Sequence, residues 1–207
     1  MSESALHQRL TSTLSAYVPE AVLGFVVDEI VQRKIILTIT QKRQSLYGDY
    51  RAPDFKAGHR ISVNGDLNRF AFFITFVHEL AHLQVWMQHR HRAVAHGIEW
   101  KQIYRQLMQP FIVGNVFPDD ISNALKNYMH KTGASSCNDV LLSKALAVYD
   151  KHAGTFVSDL MPGDVFEYEN KGEFKRGEKL RKRIKCLELK TNRIYLFSPA
   201  TVVKKKN

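Results

Sequence analysis

Residues 75–83 read Thr75-Phe76-Val77-His78-Glu79-Leu80-Ala81-His82-Leu83, an HExxH pattern set in an apolar, helix-compatible run. On a helix, positions four apart lie about 40° apart around the axis, so the imidazoles of His78 and His82 leave one face and can meet one metal ion. Glu79 stands on the next column. There a carboxylate can take a proton from a metal-activated water without being a ligand itself. Zinc requires neutral imidazole nitrogens and, for catalysis, an open coordination position, so a third protein ligand has to come from elsewhere in the chain.

The stretch Gln88-His89-Arg90-His91-Arg92-Ala93-Val94-Ala95-His96-Gly97-Ile98-Glu99-Trp100-Lys101 supplies the candidates. A metzincin spacing would place Gly at Val85 and His at Gln88, and it is absent. His96 is the better choice, because the small residues before it and Gly97 after it suit a chain that turns back beneath the first helix. Glu99, one helical turn further on, is the runner-up. His89 and His91 sit among arginines and read as solvated. The plain alternative is a histidine pair packed inside an ordinary helix. The apolar setting, the glutamate at the second position and the following His-Gly pair all weigh against it.

His78-Glu79-Leu80-Ala81-His82, followed after a gap by His96-Gly97-Ile98-Glu99-Trp100-Lys101, resembles the SprT-like metallopeptidases, whose eukaryotic relatives include the DNA-dependent protease Spartan. The resemblance extends over roughly residues 5–110. It includes Gly48-Asp49-Tyr50-Arg51 and His59-Arg60-Ile61-Ser62-Val63-Asn64, which are similar to the family's strands before its active-site helix. The resemblance implies a zincin-like fold, Zn2+ on His78, His82 and His96, Glu79 as general base, and protein substrates bound or crosslinked to DNA. The chain departs from the many relatives that carry a C-terminal cysteine zinc ribbon. It has only Cys137 and Cys186, far apart, which read as packing residues and exclude a disulfide framework.

The net charge of +10 is uneven: residues 1–150 hold 16 Lys and Arg against 13 Asp and Glu, whereas residues 151–207 hold 14 against 7. Within that tail Lys175, Arg176, Lys179, Arg181, Lys182, Arg183 and Lys185 cluster, which favours phosphate contacts with a nucleic acid; taken with the resemblance, DNA is the expected partner, single-stranded rather than double-stranded. A solvated strand face is the competing reading. No basic-apolar-small leader opens the chain and no apolar run reads as a membrane span, so a cytoplasmic protein without a membrane partner is expected.

Helices are expected over Ser4–Tyr17 (capped by Ser2 or Ser4, with Pro19 past its end), Leu67–Gln88, Ile98–Met108 (stopping near Pro110), Asp119–His130 and Asn138–Asp150 (capped by Ser135 or Ser136), and Val22–Val31 reads as a second, shorter helical or buried segment. Phe70, Phe73, Ile74 and Val77 recur at helical spacing as core against a sheet. Strands are expected over Arg33–Thr40, Leu46–Arg51 and His59–Asn64, and again over Val165–Tyr168, Leu180–Leu189 and Arg193–Phe197. The whole reads as an α+β chain, with a zincin-like metallopeptidase domain over 1–154 and a small basic antiparallel β module over 155–207. Two other functions fit the same residues: a non-catalytic, nucleic-acid- or transcription-associated zinc protein, and a general cytosolic peptidase with no nucleic-acid partner.

Overall fold

A computed structural model describes residues 2–43, 46–90, 93–130, 139–150 and 154–206. His91, the Ser135 or Ser136 cap, Cys137 and the break at His152 lie outside the described residues. The chain is α+β and divides into two compact units, Met1–Ser136 and Cys137–Asn207.

In the first unit α1 (Glu3–Leu14) starts where the Ser2 hydroxyl accepts the Ala5 amide at 3.3 Å. Pro19 serves the next element: it is the N-cap of α2 (Glu20–Gln32), where its missing N–H costs nothing. Lys34 takes a left-handed turn (φ 51°) into a three-stranded sheet of order β1-β3-β2, with β1 at Ile36–Thr40, β2 at Gly48–Arg51 and β3 at Arg60–Asn64. β1 runs parallel to β3 and β2 antiparallel to it, which leaves β2 at one edge. Arg43 and Leu46, ahead of β2, are held by buried Asn64. Its amide donates to the Arg43 and Leu46 carbonyls at 3.1 and 3.2 Å, and its Oδ1 accepts from Arg43 Nε at 2.7 Å.

α3 (Arg69–His89) opens at Asn68, whose side chain accepts the Ala71 amide at 2.9 Å. Every residue from Ala71 to Ala81 is buried. A helix apolar on all sides is a central helix, and α3 packs on β2 and β3 on one side and on α4 on another. Its 21 residues also reach the length and hydropathy of a membrane span, contrary to expectation, although 67% of the apolar window is buried inside the fold. α4 (Ile98–Val113) corrects a second expectation, because it runs through Pro110. The lost backbone bond there is offset by Phe111, whose ring meets Phe25 at 4.8 Å and Phe73 at 4.9 Å. α5 (Asp119–His130) completes the unit with two aspartates in its first turn, where the helix dipole favours them.

In the second unit α6 (Val140–Ala147) is capped by Asp139, which accepts the Leu142 amide at 3.0 Å. Six strands follow: β4 (Thr155–Phe156), β5 (Val165–Glu167), β6 (Glu173–Lys179), β7 (Ile184–Glu188), β8 (Ile194–Phe197) and β9 (Val202–Lys205). They form one antiparallel sheet of order β4-β9-β5-β6-β7-β8 around Val157, Leu160, Phe166, Phe174, Ile184, Cys186, Phe197 and Val203. The strand expected over Leu180–Leu189 begins only at Ile184. The Leu180 amide closes a turn on the Arg183 carbonyl at 2.7 Å, and the residues before that turn are a strand of their own, β6. Its outward lysines conceal the pattern, and a register shift between Arg176 and Lys179 breaks the alternation.

Candidate metal centre

His78 and His82 sit one turn apart on α3, their rings 5.1 Å apart. His96 reaches them from the segment before α4 by adopting φ 57°, a left-handed conformation that costs a non-glycine residue about 1 kcal/mol or more. Gly97 then caps α4, its amide bonded to the Val94 carbonyl at 2.9 Å, and a Cβ there would lie 2.9 Å from that same oxygen. The small residue beside His96 thus has a steric cause.

The result is a convergence of ring nitrogens. His96 Nε2 lies 2.9 Å from His78 Nε2 and 3.0 Å from His82 Nε2, and the ligand atoms of the three all fall within 4.8 Å of one another. Two nitrogens about 2.05 Å from a tetrahedral zinc are about 3.3 Å apart, so the separations of His96 from His78 and from His82 suit such an ion to a few tenths of an ångström. Neutral imidazole offers one N–H, so the proton on His96 Nε2 can satisfy only one of its two neighbours. A cation at the centre satisfies all three lone pairs.

Electrostatics favours the same state. Burial, then the neighbouring imidazoles, pushes His78 down to about 2. Burial and His96 bring His82 down to about 4, and burial followed by Lys101 lowers His96. All three are therefore neutral and ligand-competent at pH 7. Trp100 carries the group from below, its ring 4.5 Å from His78, 5.4 Å from His82 and 4.8 Å from His96, and it stacks in turn on Tyr104 at 4.9 Å. His78 Nδ1 is buried and has no hydrogen-bond partner among the described residues, where many metal histidines use a second acceptor, and its ring packs on Trp100.

Glu79 is buried beside the histidines. Burial raises its carboxyl to about 8, Asp49 adding to the rise while Arg43 and the Tyr50 backbone amide oppose it. A divalent cation at the histidines would draw it back down. Glu99, the other candidate ligand, is not among the three converging groups. His89, half-buried at the end of α3, is not among them either. Spacing and residue type do not single out Trp100, Tyr50 or Gly48 as site residues, although all three lie in the segments that carry the resemblance.

Of the seven basic residues expected to meet nucleic acid, Lys175, Lys179, Arg181, Lys182 and Arg183 are exposed. The other two have internal partners: Arg176 is half-buried with Nη1 bonded to the Gly177 carbonyl at 2.8 Å, and Lys185 is half-buried and ion-paired to Glu178. The same unit holds a cavity of about 540 Å3, walled by Tyr168, Phe174, Tyr195 and Phe197 with Lys171 and Arg183 among its charged residues. No protein-family model, curated protein or solved structure matches the chain.

Proposed function

We propose that the chain is a zinc-dependent endopeptidase of the SprT-like family, with a zincin-like first unit, acting on proteins bound or crosslinked to nucleic acid. The observation that carries this is the convergence of His78, His82 and His96 on one point with the Glu79 carboxyl on the adjoining helical column. Among the described residues no fourth His, Cys, Asp or Glu joins the cluster, which favours a catalytic site with an open position over a closed structural one.

Zinc held by the three Nε2 atoms would polarise the scissile carbonyl and acidify a water. Glu79 then does the proton work. One carboxylate oxygen takes a proton from the attacking water as its oxygen bonds to the carbonyl carbon, and the same proton passes to the amide nitrogen as the C–N bond breaks. Burial of Glu79 excludes competing bulk water from that transfer. The outer edge of β2, which no strand pairs among the described residues and which packs against Glu79, suits an extended substrate added as a further strand. The exposed cations of β6 and the turn after it, with aromatic walls nearby, support a nucleic-acid partner: cations for phosphates and ring faces for bases.

The test is proteolysis of a DNA-binding protein by zinc-loaded chain with and without single-stranded DNA, beside Glu79→Gln. Cleavage stimulated by DNA and reduced at least ~10²-fold in the variant is the expected result. Cleavage indifferent to DNA would leave a general peptidase. None in a zinc-replete wild type would favour the non-catalytic reading.

A further inference from the structure

β2 approaches α3 more closely than any side chain at position 48 would allow. A Cβ built on Gly48 would stand 2.6 Å from Thr75 Cγ2, 2.7 Å from Glu79 Oε1 and 2.9 Å from Glu79 Cγ. Real Cβ atoms essentially never come that close, so either the carboxylate or the strand would have to move. Two residues along the same edge strand, the Tyr50 backbone amide faces the Glu79 carboxylate. The strand therefore meets one side chain twice: Gly48 leaves the space it fills, and the Tyr50 N–H faces it. Thr75 and Glu79, four apart on α3, form the facing surface.

We propose that Gly48 is a positioning residue for Glu79, its hydrogen side chain setting the carboxylate where the backbone of the edge strand can hold it against the metal-binding face. This rests on the peptidase reading above. It acts on the geometry of the base and not on metal binding, since the three atoms nearest that position belong to Thr75 and Glu79 and to none of the three histidines.

The test combines Gly48→Ala, Glu79→Gln and their double variant in the full zinc-loaded chain. Gly48→Ala is expected to keep one zinc and to lower kcat on a peptide at least about tenfold, with KM changed less than about twofold. Added to Glu79→Gln it should cost nothing more, because the group it positions is already disabled. A second variant, Gly48→Ala with Thr75→Ser, removes the 2.6 Å methyl contact while leaving those to Glu79. It should recover thermal stability without recovering kcat, whereas a purely structural role would restore both. The Tyr50 amide proton gives a readout independent of cleavage: in Gly48→Ala it should move upfield, in the direction it moves in Glu79→Gln. An unmoved Tyr50 amide, wild-type kcat, or losses that multiply in the double variant would overturn the proposal. A moved amide in a chain whose wild type cleaves nothing would retain Gly48 in its role and remove the peptidase reading instead.

Discussion

His96 Nε2 lies 2.9 Å from His78 Nε2 across a gap of 18 residues, and the left-handed backbone at His96 is what closes it. A locally unfavourable conformation at a site of converging nitrogens is kept only when the surroundings fix it or a ligand rewards it. One zinc per chain is therefore expected. Substituting His78, His82 or His96 by Ala should each weaken it by orders of magnitude in a chelator competition, while His89→Ala should leave it nearly intact. A zinc-replete His96→Ala chain with Glu99 on the metal would reverse the choice of third ligand.

Trp100 is 1% exposed and touches all three imidazoles. Trp100→Ala should cost about 3–5 kcal/mol, as large aromatic truncations in cores do, and should also lower zinc affinity because the rings lose the surface that orients them. Urea denaturation of the zinc-free chain and chelator competition on the loaded chain measure the two effects separately. Full zinc affinity in a destabilised variant would mean that the histidines hold their own geometry.

Much of this is legible in the sequence because it depends on local spacing. His78, Glu79 and His82 are placed by helical periodicity alone, and Asp119–His130 by its acids and preceding proline. What stays hidden depends on distant chain. Pro110 reads as a stop because its own backbone chemistry says so, and only the rings of Phe25 and Phe73 against Phe111 show why the helix continues. Gly48 reads only as one residue of the expected strand Leu46–Arg51, and the helix that excludes a side chain there lies more than twenty residues away in sequence. β6 is concealed by its own charge, since lysines and arginines at outward positions look like a solvated run until Phe174 is seen inside the second core.

Cys186 is buried in that second core, and burial raises its thiol from the ordinary 9.0 to about 11. The neutral thiol is the favoured form in the folded state. Between about pH 9 and pH 11 the unfolded chain gives up this proton while the folded chain keeps it, so the contribution to stability is complete below pH 9 and declines as pH rises through that window. The urea midpoint of the C-terminal unit should therefore fall more steeply from pH 9 to pH 11 in wild type than in Cys186→Ala, whatever the offset between them. Parallel slopes would show that the thiol does not carry the effect.

The tail holds a net +7 over residues 151–207, and five of its cations, Lys175, Lys179, Arg181, Lys182 and Arg183, stand exposed on β6 and the turn that follows. Changing these five to Gln should weaken single-stranded DNA binding and flatten its log–log salt dependence by roughly 0.7 for each phosphate that is no longer neutralised. Arg176→Gln and Lys185→Gln should matter less to binding, since Arg176 already serves the Gly177 carbonyl and Lys185 serves Glu178. Zinc content should persist in every variant, because the three converging histidines belong to the other unit. Binding measured by fluorescence anisotropy across a salt series decides the matter. If the five-fold variant keeps the wild-type slope, these cations form a solvated face, and the DNA-binding surface is to be sought around Arg90 and Lys101 in the first unit.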